Sequence, residues 1–288
     1  MTGFETAFNE ITLVLFTTLA PSGAAAYFAV GLVVLATKGE ARKRIGETLL
    51  VPFLVCLVGL VASATHLGNP DNALYVFSRV GASPLSNEVC AAVLFLGVSG
   101  VHWLYQFAEH ARPNALRALL AAAMAASLAF LASIAFAYSS RTVITWNVPL
   151  VPVALCLNAL VGGPVLAFAT LRIAEWKPIE GRAGRCLLAV SLLALLANVG
   201  VYLAQGAGLA YAKNYVVSAV QLVPHYDLMV AAFFVLAAAG LLLDAVAMFR
   251  GRCPAKHRVI GASALVLAGI FIMRFAFYMM HMTSGMSV

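Results

Sequence analysis

TLLVPFLVCLVGLVASATHLGNPDNALYVFSRVGASPLSNEVCAAVLFLGVSGVHWLYQF, Thr48–Phe107, decides what kind of protein this is. It contains two apolar runs, Thr48–Thr65 and Val89–Phe107, separated by a short polar stretch. A helix needs about 20 apolar residues to cross the hydrocarbon core of a bilayer, and each run approaches that length. Joined by residues 67–87, the two would be antiparallel neighbours that share one membrane face. His66 closes the first run and Glu88 stands at the entrance of the second, so both fall on that face. An imidazole and a carboxylate at a membrane boundary suit proton-coupled chemistry on a lipid-soluble substrate.

The rest of the composition agrees with a membrane protein. The chain has 288 residues, of which 63% are hydrophobic and 10% charged, with a mean hydropathy of +0.96. Soluble domains carry about 25% charged residues. A net charge of +7 invites a nucleic-acid reading. The basic residues instead occupy short loops between apolar runs, which is the pattern of membrane-orientation signals, and no glycine-rich phosphate loop accompanies them. The five cysteines are dispersed, without a CxxC pair or zinc-type spacing, so no iron–sulfur cluster, metal or disulfide is expected in this protein. Glu5 and Glu10 precede the first apolar run, where a signal peptide would carry basic residues, and the run is too long for one; it should be retained as a span.

Eight transmembrane helices are expected in one all-α membrane domain covering 1–288: Phe8–Ala36, Thr48–Thr65, Glu88–Phe107, Ala115–Tyr138, Pro149–Ile173, Arg185–Ala207, Tyr226–Phe249 and Val259–His281. Pro21-Ser22-Gly23 and the three alanines after it read as a place where helices approach closely, or as a kink. Fourteen Lys and Arg fall in one set of loops and three in the other. The positive-inside rule then puts both termini and residues 67–87 outside. In that outer loop, Asn69-Pro70-Asp71 reads as a helix start and Gly81 as its end, with Ala73, Leu74, Phe77 and Val80 at helical spacing between them. This is the pattern of a short interfacial helix. Ser86 is expected to cap the third span. No short internal repeat is evident.

Each candidate functional residue has a structural alternative. Glu88 could complement a helix dipole, and His66 could bond a carbonyl at a helix end. Arg274 lies in the last span, where a charge near the bilayer centre costs about 2.5–3.5 kcal/mol unless paired or hydrated. Arg274, Tyr278 and His281 share one helix face by their i, i+4, i+7 spacing, and Glu88 is one acceptor that could meet the guanidinium. Trp146 and Tyr226 fit an aromatic belt, whereas Gln205 is either helix–helix glue or the wall of a cavity. Asp244 is read as structural, pairing with Arg250, and His102 lies too near the inner end to join His66. A haem-b carrier would need two histidines at equal depth, for which His66 and His281 are the candidate pair. A secondary transporter would need paired broken helices in the two halves, and only the first span offers a break.

His66–Glu88, HLGNPDNALYVFSRVGASPLSNE, resembles the signature loop of the DmsC family, the membrane anchor subunits of anaerobic dimethyl sulfoxide reductases. TVITW (Thr142–Trp146), GGP (Gly162–Pro164), QGA (Gln205–Ala207), LVPHY (Leu222–Tyr226) and FYMMHMTSGM (Phe277–Met286) extend the likeness, in order, to the C-terminus. The resemblance implies a haem-free anchor in the bacterial inner membrane. Such an anchor oxidises menaquinol and passes electrons to an iron–sulfur subunit and thence to a molybdopterin catalytic subunit. It implies that His66 and Glu88 are the histidine and glutamate of the quinol site, with Arg274, Tyr278, His281 and Gln205 as candidate pocket residues. Asp71-Asn72 stands where relatives often have a basic residue, a departure that bears on the loop's charge contacts.

Overall fold

The structure is a computed structural model that describes residues 2–66, 70–140, 142–249 and 255–283. Its helices are α1 (Gly3–Asn9), α2 (Ile11–Ala36), α3 (Gly39–Thr48), α4 (Leu50–Ala64), α5 (Pro84–Tyr105), α6 (Pro113–Ala137), α7 (Leu150–Ile173), α8 (Arg182–Leu209), α9 (Ala219–Leu222), α10 (Tyr226–Phe249) and α11 (Lys256–Met279). Among the described residues, eight helical segments are long and apolar enough to cross a membrane, with α3 and α4 joined into one. The described residues include isolated β-bridges but no strand.

Several boundaries shift from the sequence reading, and three differences have a local reason. The first span begins at Ile11, because residues 3–9 form a separate helix with its own cap. There the Thr2 hydroxyl accepts from the Glu5 amide, and the Glu5 carboxylate accepts from the Thr2 amide at 2.8 Å. α5 begins at Pro84, capped by Ser83 rather than Ser86, with proline in the first turn. Glu88 therefore lies inside the helix rather than at its entrance. The interfacial segment is a 3₁₀ helix, Pro70–Arg79, ended by Gly81 at φ 89°; Asn69, its expected cap, lies outside the described residues.

The spans pack as two rings of four. α2 touches α4, α4 touches α5, α5 touches α6, and α6 returns to α2. The second ring repeats the pattern: α7 touches α8, α8 touches α10, α10 touches α11, and α11 returns to α7. The leading helices α2 and α7 are the most buried spans and lie against each other between the rings.

Small residues make that seam possible. A Cβ at Gly23 would stand 2.8 Å from the Pro52 carbonyl on α4. One at Gly163 would stand 2.5 Å from the Cβ of Ala25, so α7 lies nearly backbone to backbone against α2. Pro21 and Pro164 both lie inside unbroken helices. The close approach expected at Pro21-Ser22-Gly23 is present at Gly23.

The basic loops gather at one end of the bundle. The other end carries α1, α9, the 138–149 segment and the last described residues. There Ile144 donates to the Met282 carbonyl at 3.0 Å, and the Thr145 hydroxyl donates to the Met280 carbonyl at 2.5 Å. These bonds tie the loop between the rings to the end of α11.

Candidate functional site

Arg274 is the most informative side chain. It is 2% exposed, and among the described residues no carboxylate lies within ion-pair distance of it. Its Nε donates instead to the Thr17 hydroxyl at 2.9 Å. That hydroxyl donates in turn to the Leu13 carbonyl at 2.8 Å, so it uses both its donor and its acceptor capacity. The guanidinium carbon lies 4.1 Å from the centroid of Phe277, with the Tyr138 and Tyr278 rings at 5.6 and 5.7 Å. Aromatic faces attract a desolvated cation by about 2 kcal/mol, which offsets part of its burial. The outer nitrogen Nη2 is buried with no hydrogen-bond partner.

Two further polar groups stand beside it. The Tyr278 hydroxyl is buried, with the Tyr138 and Thr17 side chains as polar neighbours. Glu88 is 5% exposed, with one carboxylate oxygen buried and unpartnered. It lies within electrostatic reach of both Tyr138 and Tyr278. One acceptor on Glu88 and one donor on Arg274 are thus left unsatisfied in the region of the Tyr278 hydroxyl, although a buried unmade hydrogen bond costs about 1–3 kcal/mol. Native proteins keep such groups where something else uses them. The wall beside them is aromatic. Trp146 stacks on Phe277 at 4.4 Å between centroids, meets Tyr278 edge-on at 5.7 Å, and donates from its indole nitrogen to the Phe277 carbonyl.

His66 belongs to a different group. Its Nε2 lies 3.0 Å from a carboxylate oxygen of Glu10, at the joint between α1 and α2. Glu10 also acts electrostatically on His281, whose ring packs on Trp146 at 5.0 Å between centroids. The protein around His281 pulls its pKa below the ordinary imidazole value, with Glu10 working in the opposite direction. His66, Glu10 and His281 form a rim that connects to the buried cluster through Trp146. The two histidines have Glu10 as a common neighbour.

Gln205 lies on a third arm. It is buried and accepts from the Tyr226 hydroxyl at 3.4 Å. The nearby Tyr202 hydroxyl accepts from Asn158, and Asn158 accepts from Asn198 at 2.7 Å. Arg274 acts electrostatically on Tyr202, so this polar series ends at the same guanidinium. Gln205 joins α8 to α10 through Tyr226, and among the described residues no hydrogen bond links it to Glu88, Arg274 or Tyr278. Asp244 is fully buried with both oxygens unpartnered and Arg258 as its charged neighbour; Arg250 lies outside the described residues. His102 contacts the Tyr27 hydroxyl at 3.3 Å, away from the cluster.

Sequence reasoning missed Glu10, Thr17 and Tyr138. Glu10 served only as evidence against a signal peptide, and Thr17 looks like any helix threonine. Tyr138 ends a span in the manner of a belt residue. No spacing rule joins them, because they come together from separate helices.

Comparison with known proteins decides the family. A family model described as "DMSO reductase anchor subunit (DmsC)" matches residues 4–280. The chain belongs to the DmsC family. The C subunit of anaerobic dimethyl sulfoxide reductase from Escherichia coli (strain K12) is 34% identical to it over 284 residues, which is 97% of this protein and 98% of the relative. The YnfH subunit of an anaerobic dimethyl sulfoxide reductase from the same organism is 36% identical over 282 residues, again 97% and 98% of the two. The C subunit of the Haemophilus influenzae reductase is 28% identical over 286 residues, covering 99% of each. As a DmsC protein with eight apolar helices, this is a multi-pass membrane anchor subunit of a dimethyl sulfoxide reductase complex. In this protein the Glu88–Arg274–Tyr278 cluster draws on both helix rings, with Glu88 from α5 of the first and Arg274 and Tyr278 from α11 of the second.

Proposed function

We propose that this anchor oxidises menaquinol at the Glu88–Arg274–Tyr278 cluster and passes the electrons to an iron–sulfur subunit, which feeds a molybdopterin catalytic subunit. The observation that carries the reading is the pair of buried, unpartnered polar atoms on Glu88 and Arg274, with the Tyr278 hydroxyl near both, beside stacked aromatic rings. A flat hydroquinone carries two hydroxyls at opposite ring positions and an apolar tail. One hydroxyl can donate to Glu88, while the other oxygen accepts from Arg274 Nη2 or Tyr278. The naphthalene-type ring can lie against Trp146 and Phe277.

Oxidation of the quinol to the quinone releases two protons and two electrons. Glu88 accepts a proton from the hydroxyl it faces, and Arg274 steadies the negative charge that develops on the opposite oxygen. The electrons leave by a cluster held in the docked partner. Protons leave toward the rim, where His66, Glu10 and His281 stand. The setting is the bacterial inner membrane, with the terminal end of the bundle outside, as the distribution of basic loops supports. A photoreactive naphthoquinone tests the site. Labelling of segments 138–149 and 271–283 is expected, with labelling suppressed by excess menaquinol; suppressible labelling confined to the outer faces of α8 and α10 would place the quinol elsewhere.

A further inference from the structure

At the basic end, between α3, α7 and the turn that follows α7, lies a cavity of about 630 Å³. Arg44, Arg172 and Lys177 line it, with Trp176 on one wall and Glu175 and Glu180 at its edge. The wall is built rather than loose. Glu175 adopts a left-handed φ of 55°, and its carboxylate is held by Lys256 at 2.7 Å. Ile179, 1% exposed, anchors the 3₁₀ turn Lys177–Glu180.

A second cavity of about 580 Å³ meets the first at Glu180. It is an apolar groove between α8 and α10, with Arg185 at its mouth. Along α8 it runs from Arg185 to Leu196, roughly 16 Å at 1.5 Å per residue. That is about half the ~30 Å hydrocarbon core, the depth of one leaflet. Among the residues lining the two cavities Arg44, Arg172, Lys177 and Arg185 outnumber Glu175 and Glu180, four cations against two carboxylates.

We propose that the paired cavities form a site for one anionic glycerophospholipid, its phosphodiester among Arg44, Arg172 and Lys177 and an acyl tail in the α8–α10 groove. A basic pocket opening onto a groove one leaflet deep matches a charged head joined to a hydrocarbon tail, and neither a free anion nor a tailless ligand would use both parts. The net positive balance selects an anionic lipid over a zwitterionic one. Lys256 pairs with Glu175, one of the two lining carboxylates, and so lessens its repulsion of the phosphate. The occupant would brace the basic ends of α3, α7, α8 and α11 against one another. This site lies at the opposite end of the bundle from Glu88 and does not depend on the quinol reading.

The test uses the full-length protein with its partner subunits, stripped by extensive exchange into a nonionic detergent. Retention of phosphatidylglycerol, phosphatidylcholine or inorganic phosphate is then measured, together with the melting temperature. Phosphatidylglycerol should be retained at about one per anchor subunit and raise the melting temperature; phosphatidylcholine and phosphate should do neither. Arg44→Gln and Lys177→Gln should each weaken retention about fivefold. Ala189→Trp, which fills the groove while leaving every charge in place, should weaken it too. Equal retention of phosphatidylcholine would overturn the charge selection. Phosphate that protects as well as the lipid, with Ala189→Trp silent, would make this a site for a soluble anion. Unchanged retention in all three variants would remove the site altogether.

Discussion

Arg274 shows how a charge can be kept in an apolar span without a counter-ion. Its guanidinium divides its needs between the Thr17 hydroxyl, three aromatic rings and whatever meets Nη2. Charge alone would not reproduce this, because lysine lacks the planar fork that donates from Nε while lying over a ring. Arg274→Lys is expected to lower quinol-driven turnover at least tenfold, and Arg274→Leu to reduce complex yield as well. Thr17→Val removes the acceptor and should cost about 1–3 kcal/mol, read as a lower melting temperature. Wild-type turnover in Arg274→Lys would mean that the stacked geometry is irrelevant. His281 gives a pH prediction. Its pKa is lowered in the folded protein, so the unfolded protein binds a proton more readily and stability falls as the pH drops below about 6.5. The melting temperature should decline between pH 7 and pH 5, and His281→Gln should make that decline shallower.

Helix contacts depend on positions where no side chain fits. Gly23 and Gly163 let α4 and α7 approach α2, so Gly23→Val or Gly163→Val should cost at least the about 1–3 kcal/mol typical of overpacking. Thermal unfolding in detergent would read the loss, and an unchanged melting temperature in Gly163→Val would contradict the packing of α7 on α2. The spans were legible in the sequence because hydrocarbon thickness sets their length, and their ends fell within a few residues of the structural ones, except that α3 carries the second span back to Gly39. Arg274 and Glu88 were legible as well, since a charge in or beside an apolar run stands out. The separation of α1 was not, because a capping box at Thr2 and Glu5 starts a short helix of its own and the backbone leaves helical geometry at Glu10. The pairing of His66 with Glu10 rather than Glu88 was equally hidden. Adjacent spans suggested one partner, but α1 folds over the bundle end and brings its own carboxylate.

Across the whole molecule, two rings of four helices share a seam, and the buried polar cluster draws on both. The positive-inside pattern predicts that Ser78→Cys reacts with an impermeant thiol reagent in intact cells, while Thr37→Cys is protected until the membrane is opened. The reverse pattern would invert the topology and move Glu88 to the other face. A site at the seam also predicts that menaquinol electrons enter the complex through this subunit alone, whereas an artificial dye can reduce the partner subunits directly. The decisive measurement is therefore the ratio of menaquinol-driven to dye-driven turnover in the assembled complex carrying Glu88→Gln. Loss of a general base should lower the menaquinol-driven rate about 10²–10⁴-fold and leave the dye-driven rate within a factor of about two. An unchanged ratio, whether both rates persist or both fall together, would contradict the assignment of Glu88 to quinol oxidation.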